Sequence, residues 1–322
     1  MLFRVPFQVL ATDKYVEYRR SLGESFKTNA NLLKQFCNYL GKDMNLLEIT
    51  ESITSDFLQS GGNEITRKWF TRHAALSGFF RWCMSRGYVS KIPLTMDKPK
   101  KPQRITPYIY SDIELKKLFS AAMTYQKRPS LTYPECVKAI LQLTYVLGLR
   151  ISETMSLRMK DVDLANCCIT IHESKFYTSR TVTFNEEVKK LIEKFFSWRK
   201  DNCKISDEDT SLWIMCNGSS MRLNCINGIF KKIRIEAGIS RNDNTRYQPR
   251  IHDLRHTFAV NRLRKWYQDG KDVQTLLPVL STYLGHKQVS YTTVYLTMTT
   301  GLLSDAANLF FEYANPKTNQ HE

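Results

Sequence analysis

The sequence predicts a mainly α protein with a small β-sheet, divided into two domains, and three observations carry that prediction. Apolar residues recur at helical spacing through residues 12–92. A proline-broken basic stretch, Lys98-Pro99-Lys100-Lys101-Pro102-Gln103-Arg104, then stops the pattern, because proline lacks the N–H a helix needs and its ring clashes with the preceding turn. Helical periodicity resumes beyond it and is broken by two short β-type runs, Cys168-Ile169-Thr170-Ile171 and Thr181-Val182-Thr183-Phe184. At 322 residues the chain is long for one domain and comfortable for two. The expected division is a helical domain over residues 1–95, a linker over 96–107 and an α+β domain over 108–322.

The elements follow in order. Helices are expected over residues 13–22, over 28–40 with Leu32, Leu33, Phe36, Tyr39 and Leu40 on one stripe, and over 52–58. A fourth, over 64–86, turns Trp69, Leu76, Phe79, Phe80 and Cys83 inward and leaves Arg67, Lys68, Arg72 and Arg81 outside, ending at Gly87. In the second domain Ser111 is placed to cap a helix over 113–122, and residues 135–147 form a buried helix ahead of Gly148. The two β-runs make a hairpin with a polar turn, and helices are expected over 186–199, 224–237, 254–266 and 273–284. A last apolar stripe, Leu302, Leu303, Ala306, Ala307, Phe310 and Tyr313, has helical spacing. Its plainest reading is packing against its own domain.

Charge narrows the class of partner. Lys plus Arg number 47 against 31 for Asp plus Glu, a net charge of +16, so a polyanion is expected. Residues 1–107 hold 17 basic and 9 acidic side chains, and the remainder 30 and 22, which makes the first third about twice as positive per residue. The linker cations Lys98, Lys100, Lys101 and Arg104 sit on a chain that proline keeps extended, suited to tracking a nucleic-acid backbone. A solvated linker would also be polar. The eight cysteines include no Cys-x-x-Cys pair and no neighbouring His tract, so no metal is expected and free buried thiols are the ordinary reading. Nothing at the N-terminus has a signal-peptide pattern, and no apolar run reaches membrane-span length. A cytoplasmic protein without a membrane partner is expected.

Chemistry concentrates in three places: Gly148-Leu149-Arg150-Ile151-Ser152-Glu153, then Ile251-His252-Asp253-Leu254-Arg255-His256-Thr257-Phe258-Ala259, then Leu284-Gly285-His286 with Tyr295 nine positions on. Two guanidiniums can grip the non-bridging oxygens of a phosphate, imidazoles can move protons, and a phenol can serve as nucleophile. His252 and Arg255 are three apart at a helix start, where an anion is well received. Each residue also has a plainer reading. Arg150 could pair with Glu153 to support a helix, Lys175 in the hairpin turn could be solvated, and Tyr295 is one of 16 tyrosines.

These three boxes, in this order, resemble the tyrosine recombinase (phage integrase) family. The resemblance implies a helical core-binding domain, a basic linker and an α+β catalytic domain with a C-terminal tail helix. It implies that Tyr295 attacks a DNA phosphodiester to form a 3′-phosphotyrosyl bond, that Arg150 and Arg255 hold the phosphate, that His252 assists proton movement at the nucleophile, and that His252 and His286 help to stabilise the charge on phosphorus. Lys175, followed five positions later by Arg180, would protonate the leaving 5′ oxygen. Double-stranded DNA is the implied partner, contacted by Arg67, Lys68, Arg72, Arg81, Lys98, Lys100, Lys101, Arg104 and Arg180. No cofactor or metal is called for, and the tail would dock on a neighbouring subunit in a tetramer on paired sites. His256 is expected to point elsewhere in a structural role.

The sequence departs from the family pattern at Leu147, where many relatives carry threonine, at Thr297, where a histidine is usual, and beside Lys175, where glycines are usual. The wording of residues 277–286 is more similar to integrases and transposases of mobile elements than to chromosome-dimer resolvases. The chain starts almost at its first helix, so no separate arm-site-binding domain is expected. A type IB topoisomerase-like enzyme, and an inactive DNA-binding accessory protein, are the alternatives.

Overall fold

The computed structural model describes residues 7–297, apart from 42–43, 61, 63–64, 103–105, 127, 129, 175–177, 204–206, 244 and 246. Lys175, Arg104 and the apolar tail positions from Leu302 to Tyr313 lie outside the described residues. The chain divides into two compact units, Met1–Arg104 and Ile105–Glu322.

The first unit is helical among its described residues: α1 (Phe7–Ser21), α2 (Lys27–Leu40), α3 (Glu51–Gln59) and α4 (Arg67–Ser85). The helix expected from residue 13 begins earlier, because Ala11 already belongs to the buried stripe that Tyr15 continues. The core is aromatic, with Tyr15, Phe36, Phe57, Phe79 and Phe80 in mutual ring contact. Thr50 caps α3 by accepting from the Ile53 N–H, and α4 ends just ahead of Gly87, as expected.

One expectation in this unit is corrected. Arg72 is not on the outer face of α4 but buried, three residues from Trp69 and four from Leu76 on the same stripe. Its guanidinium donates to the Phe57 carbonyl at 2.8 Å and the Ser60 hydroxyl at 2.9 Å, and lies 4.7 Å over the Phe57 ring. It therefore closes the C-terminal end of α3, where unpaired carbonyls favour a cation. Arg67, Lys68, Arg81, Lys98, Lys100 and Lys101 are exposed.

The second unit runs α5 (Asp112–Thr124), α6 (Pro134–Val146), α7 (Ile151–Ser156), β1 (Val162–Asp163), β2 (Cys168–Ser174), β3 (Thr178–Thr183), α8 (Glu186–Asn202), α9 (Leu223–Glu236), α10 (Asp253–Gln268), α11 (Val273–Leu284) and α12 (Ser290–Thr293). Ser111 caps α5 and Glu114 reciprocates from the third position, as expected. The expected hairpin forms, with Ile169 opposite Val182 and Ile171 opposite Arg180, and β1 adds a third antiparallel strand that two residues were too few to announce. Ile169, Ile171 and Val182 point from this sheet into a core shared with α6, α9 and the start of α10.

A second cluster joins α10 to α11 through Phe258, Val260, Leu263, Leu277, Leu280 and Leu284, and includes Tyr295 from the 3₁₀ turn Val294–Thr297. Among the described residues no helix is long and apolar enough to cross a membrane, and no group of His, Cys, Asp and Glu is arranged to hold a metal ion. Among the described residues no cysteine is in a disulfide; four of the eight are buried and Cys216 is exposed.

Candidate active site

The site is organised by one carboxylate and one helix end. Glu153, on α7, is buried and accepts from three directions. The Arg150 guanidinium donates at 2.6 Å, the Arg150 backbone N–H at 2.9 Å, and Arg180 on β3 donates through both terminal nitrogens at 3.0 and 2.9 Å. Arg255, on α10, stands 3.9 Å away. Burial by itself would raise the Glu153 pKa, but the bonds from Arg180 and Arg150 outweigh it and hold the carboxyl at about 2.

The last turn of α11 completes the clamp. A helix leaves its final carbonyls without intrahelical donors and carries partial negative charge there. Here three consecutive carbonyls each take one arginine: Tyr283 accepts from Arg180 at 3.0 Å, Leu284 from Arg255 at 2.6 Å and Gly285 from Arg150 at 2.7 Å. Arg255 also donates to the Gly148 carbonyl at 2.8 Å.

Two glycines permit this closeness. Gly285 has φ +65°, and a Cβ there would meet the Arg180 guanidinium at 2.8 Å. Gly148 has φ +59°, and a Cβ there would meet the Phe258 ring at 2.3 Å. Arg180 is thus committed to Glu153 and the end of α11, with 13% of its side chain exposed, and is not the outward DNA contact expected of it.

Tyr295 faces this nest from the same chain. It is 3% exposed and its ring stacks 6.2 Å from that of His286. Burial raises its pKa above the usual value of a phenol, against the opposing pull of Arg255 and Arg150. His286 is oriented by a 2.8 Å bond between its Nδ1 and the Thr292 hydroxyl, a partner that the sequence reading missed. Tyr291, by contrast, is 52% exposed and meets His286 only edge-on at 6.3 Å.

His256 corrects a further expectation. It does not point elsewhere, for its Nδ1 lies 3.0 Å from the Tyr295 hydroxyl. His252 sits one turn earlier on the same face, with its ring edge-on to that of His256 at 4.8 Å. Arg150 also lines a cleft of about 930 Å³, together with Ser152, Ser156, Lys160, His172 and Ser179.

The three imidazoles are held neutral. Burial first, and the neighbouring arginines after it, push His252 and His286 down to about 4, and burial followed by His252 and Arg255 pushes His256 to about 3. The unfolded chain would protonate them near 6.5. The unfolded state therefore binds more protons below that value, and the stability from these groups is lost as pH falls from about 6.5 toward 4. Thermal unfolding should show Tm dropping between pH 7 and pH 5, with a shallower slope in a His252→Gln/His286→Gln double variant. A Tm equal at the two pH values contradicts this.

Comparison with known proteins agrees with the geometry. Residues 113–300 match the Phage integrase family. The chain is also 30% identical over 302 residues to y4rB of Sinorhizobium fredii, named as an integrase/recombinase, covering 92% of this chain and 94% of that one. The chain belongs to the phage integrase family.

Tyrosine recombinase XerC of Oceanobacillus iheyensis is 26% identical to this family member, over 96% of the chain and 97% of the relative. Among solved structures, the fold is shared with the Tn1549 transposon integrase in complex with a circular intermediate DNA. That match has a TM-score of 0.68 at 15% identity, covering 95% of this chain and 99% of that one. It is shared as well with the XerH site-specific recombinase bound to its palindromic difH substrate, with a TM-score of 0.64 at 21% identity, covering 94% and 84%.

Proposed function

We propose that this tyrosine recombinase is a site-specific DNA recombinase, acting as integrase or transposase of a mobile element, and that it cleaves and rejoins DNA strands through a 3′-phosphotyrosyl bond at Tyr295. One observation carries the chemistry: the buried Tyr295 phenol faces Arg255 and Arg150 of its own chain. Around it, the guanidiniums of Arg150, Arg180 and Arg255 share the single carboxylate of Glu153, which leaves two positive charges unbalanced. A phosphodiester supplies one negative charge, and the five-coordinate phosphorus formed on attack carries two. Such a site favours the transition state over the bound ground state.

In this reading Arg150 and Arg255 hold the non-bridging oxygens, His286 and His252 donate to the developing charge, and Lys175 protonates the departing 5′ oxygen. The chain's own groups suffice for every step, so no cofactor is called for. The bond to Tyr295 conserves the phosphodiester's energy, and a 5′ hydroxyl from a partner strand can reverse the step. The exposed cations Arg67, Lys68, Arg81, Lys98, Lys100 and Lys101 are proposed to take DNA phosphates. Arg72 and Arg180 are withdrawn from that set by their internal partners.

The mobile-element assignment is supported by the name of the S. fredii relative, an integrase/recombinase. For the tetramer, a groove of mixed polarity, with Phe184, Val188, Phe258 and Trp266 beside Glu187 and Arg262, is the face proposed to receive a neighbour's tail.

The test is trapping on a nicked duplex bearing the DNA that flanks the gene, from which the short fragment carrying the freed 5′ hydroxyl diffuses away. Wild type and Tyr291→Phe should form a detergent-stable protein–DNA adduct, and Tyr295→Phe none. Wild-type binding without an adduct would favour the accessory-protein alternative. Supercoil relaxation without exchange between two sites would favour the topoisomerase.

A further inference from the structure

The Tyr295 hydroxyl has a neighbour to which the family resemblance gave no part in the chemistry. Nδ1 of His256 lies 3.0 Å from it, with the ring centroids 5.6 Å apart. The His256 ring, on α10, is steadied at 4.8 Å by the edge-on ring of His252, the N-cap residue of that helix four positions earlier. We propose that His256 is a catalytic residue, whose Nδ1 takes the phenolic proton as Tyr295 attacks and returns it when the strand is rejoined. The proposal rests on the phosphotyrosyl reading above and moves to His256, which contacts the phenol, the proton transfer that the resemblance gave to His252.

The step balances without any further reagent. The bond from Tyr295 Oη to phosphorus forms, the bond from phosphorus to the 5′ oxygen breaks, and the phenolic proton passes to Nδ1. The leaving oxygen takes a proton from the general acid, for which Lys175 stands, and becomes a 5′ hydroxyl. This requires the His256 tautomer whose hydrogen is on Nε2, so that Nδ1 presents its lone pair to the phenol. Rejoining runs the same transfers backwards.

Electrostatics set when the transfer can occur. The charged and titratable groups facing His256 are His252, Arg255 and Arg250 from α10 and the residues before it, His286 from the end of α11, and Tyr295 itself. Arg255 and Arg150 face the phenol. Burial and these cations keep the imidazole neutral in the resting protein, which is the state an acceptor needs. A phosphodiester held between Arg150 and Arg255 opposes their field. The negative charge that builds on phosphorus then raises the basicity of His256 as the proton arrives.

A purely positional His256 would hold the hydroxyl and take no proton, and His256→Asn separates the two roles. Its amide reaches about the position of Nδ1 and can hydrogen-bond the phenol, but it cannot be protonated. The measurement is the rate of covalent adduct formation on the nicked flanking-DNA duplex from pH 6 to pH 9, with gel-shift binding as the check on folding. His256→Asn should be slower by about 10²- to 10⁴-fold. Its residual rate should climb by about tenfold per pH unit as phenolate forms without help. In His256→Ala, added imidazole should recover part of the rate, which it could not do for a misfolded protein.

A His256→Asn rate within about threefold of wild type overturns the proposal. So does a slowing by one constant factor at every pH with no recovery by imidazole. If wild type forms no adduct, or Tyr295→Phe retains it, the phosphotyrosyl reading itself fails and takes this one with it.

Discussion

Glu153→Gln will destabilise the second unit by about 3–5 kcal/mol, the usual consequence of removing one partner from a buried ion cluster. The substitution keeps shape and removes charge, so its effect reports the electrostatics of the nest. Glu153 accepts from both terminal nitrogens of Arg180 and from the side chain and backbone of Arg150, with Arg255 at 3.9 Å. With the carboxylate neutral, three guanidiniums repel one another and the amide presents a donor to groups that only donate.

The phosphate grip should loosen with it, slowing adduct formation by at least about 10²-fold, the size of effect that a misplacement near 1 Å produces. Denaturant unfolding and trapping on the nicked duplex, run on the same preparations, check both parts. Unfolding at wild-type denaturant concentration would show that the cluster is not what fixes the arginines.

Arg255→Lys will slow adduct formation by about 10²- to 10³-fold, although the formal charge is kept. Arg255 is 1% exposed and spans two carbonyls, Gly148 at 2.8 Å and Leu284 at 2.6 Å. An ammonium cannot reach both in fork geometry, and the abandoned buried carbonyl costs about 1–3 kcal/mol. Protonation makes matters worse. Burial, with help from Arg150, already pushes the Arg255 guanidinium from 12.5 to about 10. The same environment would lower the pKa of a lysine below its ordinary 10.4. The variant should therefore lose its residual activity as pH rises from 7 to 9, whereas wild type should not. Equal pH dependence in the two proteins contradicts this part.

Much of this architecture was legible because it follows from local rules. The stripe of Trp69, Leu76, Phe79, Phe80 and Cys83 set the long helix of the first unit, and Ser111 marked a helix start through a capping box. Gly148 and Gly285 stood where left-handed turns were needed, so the boxes around Arg150 and His286 could be placed on real turns. What escaped depends on partners far away in sequence. Arg72 looked like a surface cation until the end of α3 supplied its acceptors 12 to 15 residues away. Arg180 looked like a hairpin cation, but Glu153 lies 27 residues before it and Tyr283 lies 103 after it.

His256 was set aside because it neighbours Arg255, and successive helical residues point about 100° apart. Its spacing of four from His252 already put the two imidazoles on one face. The missing piece was Tyr295, which the packing of Phe258, Leu284 and Tyr295 brings to α10 from another element.

The Tyr295 phenol is the group proposed to join DNA, and the most direct measurement is the identity of the joined residue. Wild-type adduct trapped on the nicked flanking-DNA duplex would be digested with protease and nuclease, and the nucleotide-bearing peptide sequenced by mass spectrometry. The expected result is a 3′-phosphonucleotide on Tyr295, with Tyr291 unmodified. A nucleotide on Tyr291 or on any other side chain, or one attached through a 5′ phosphate, would contradict it.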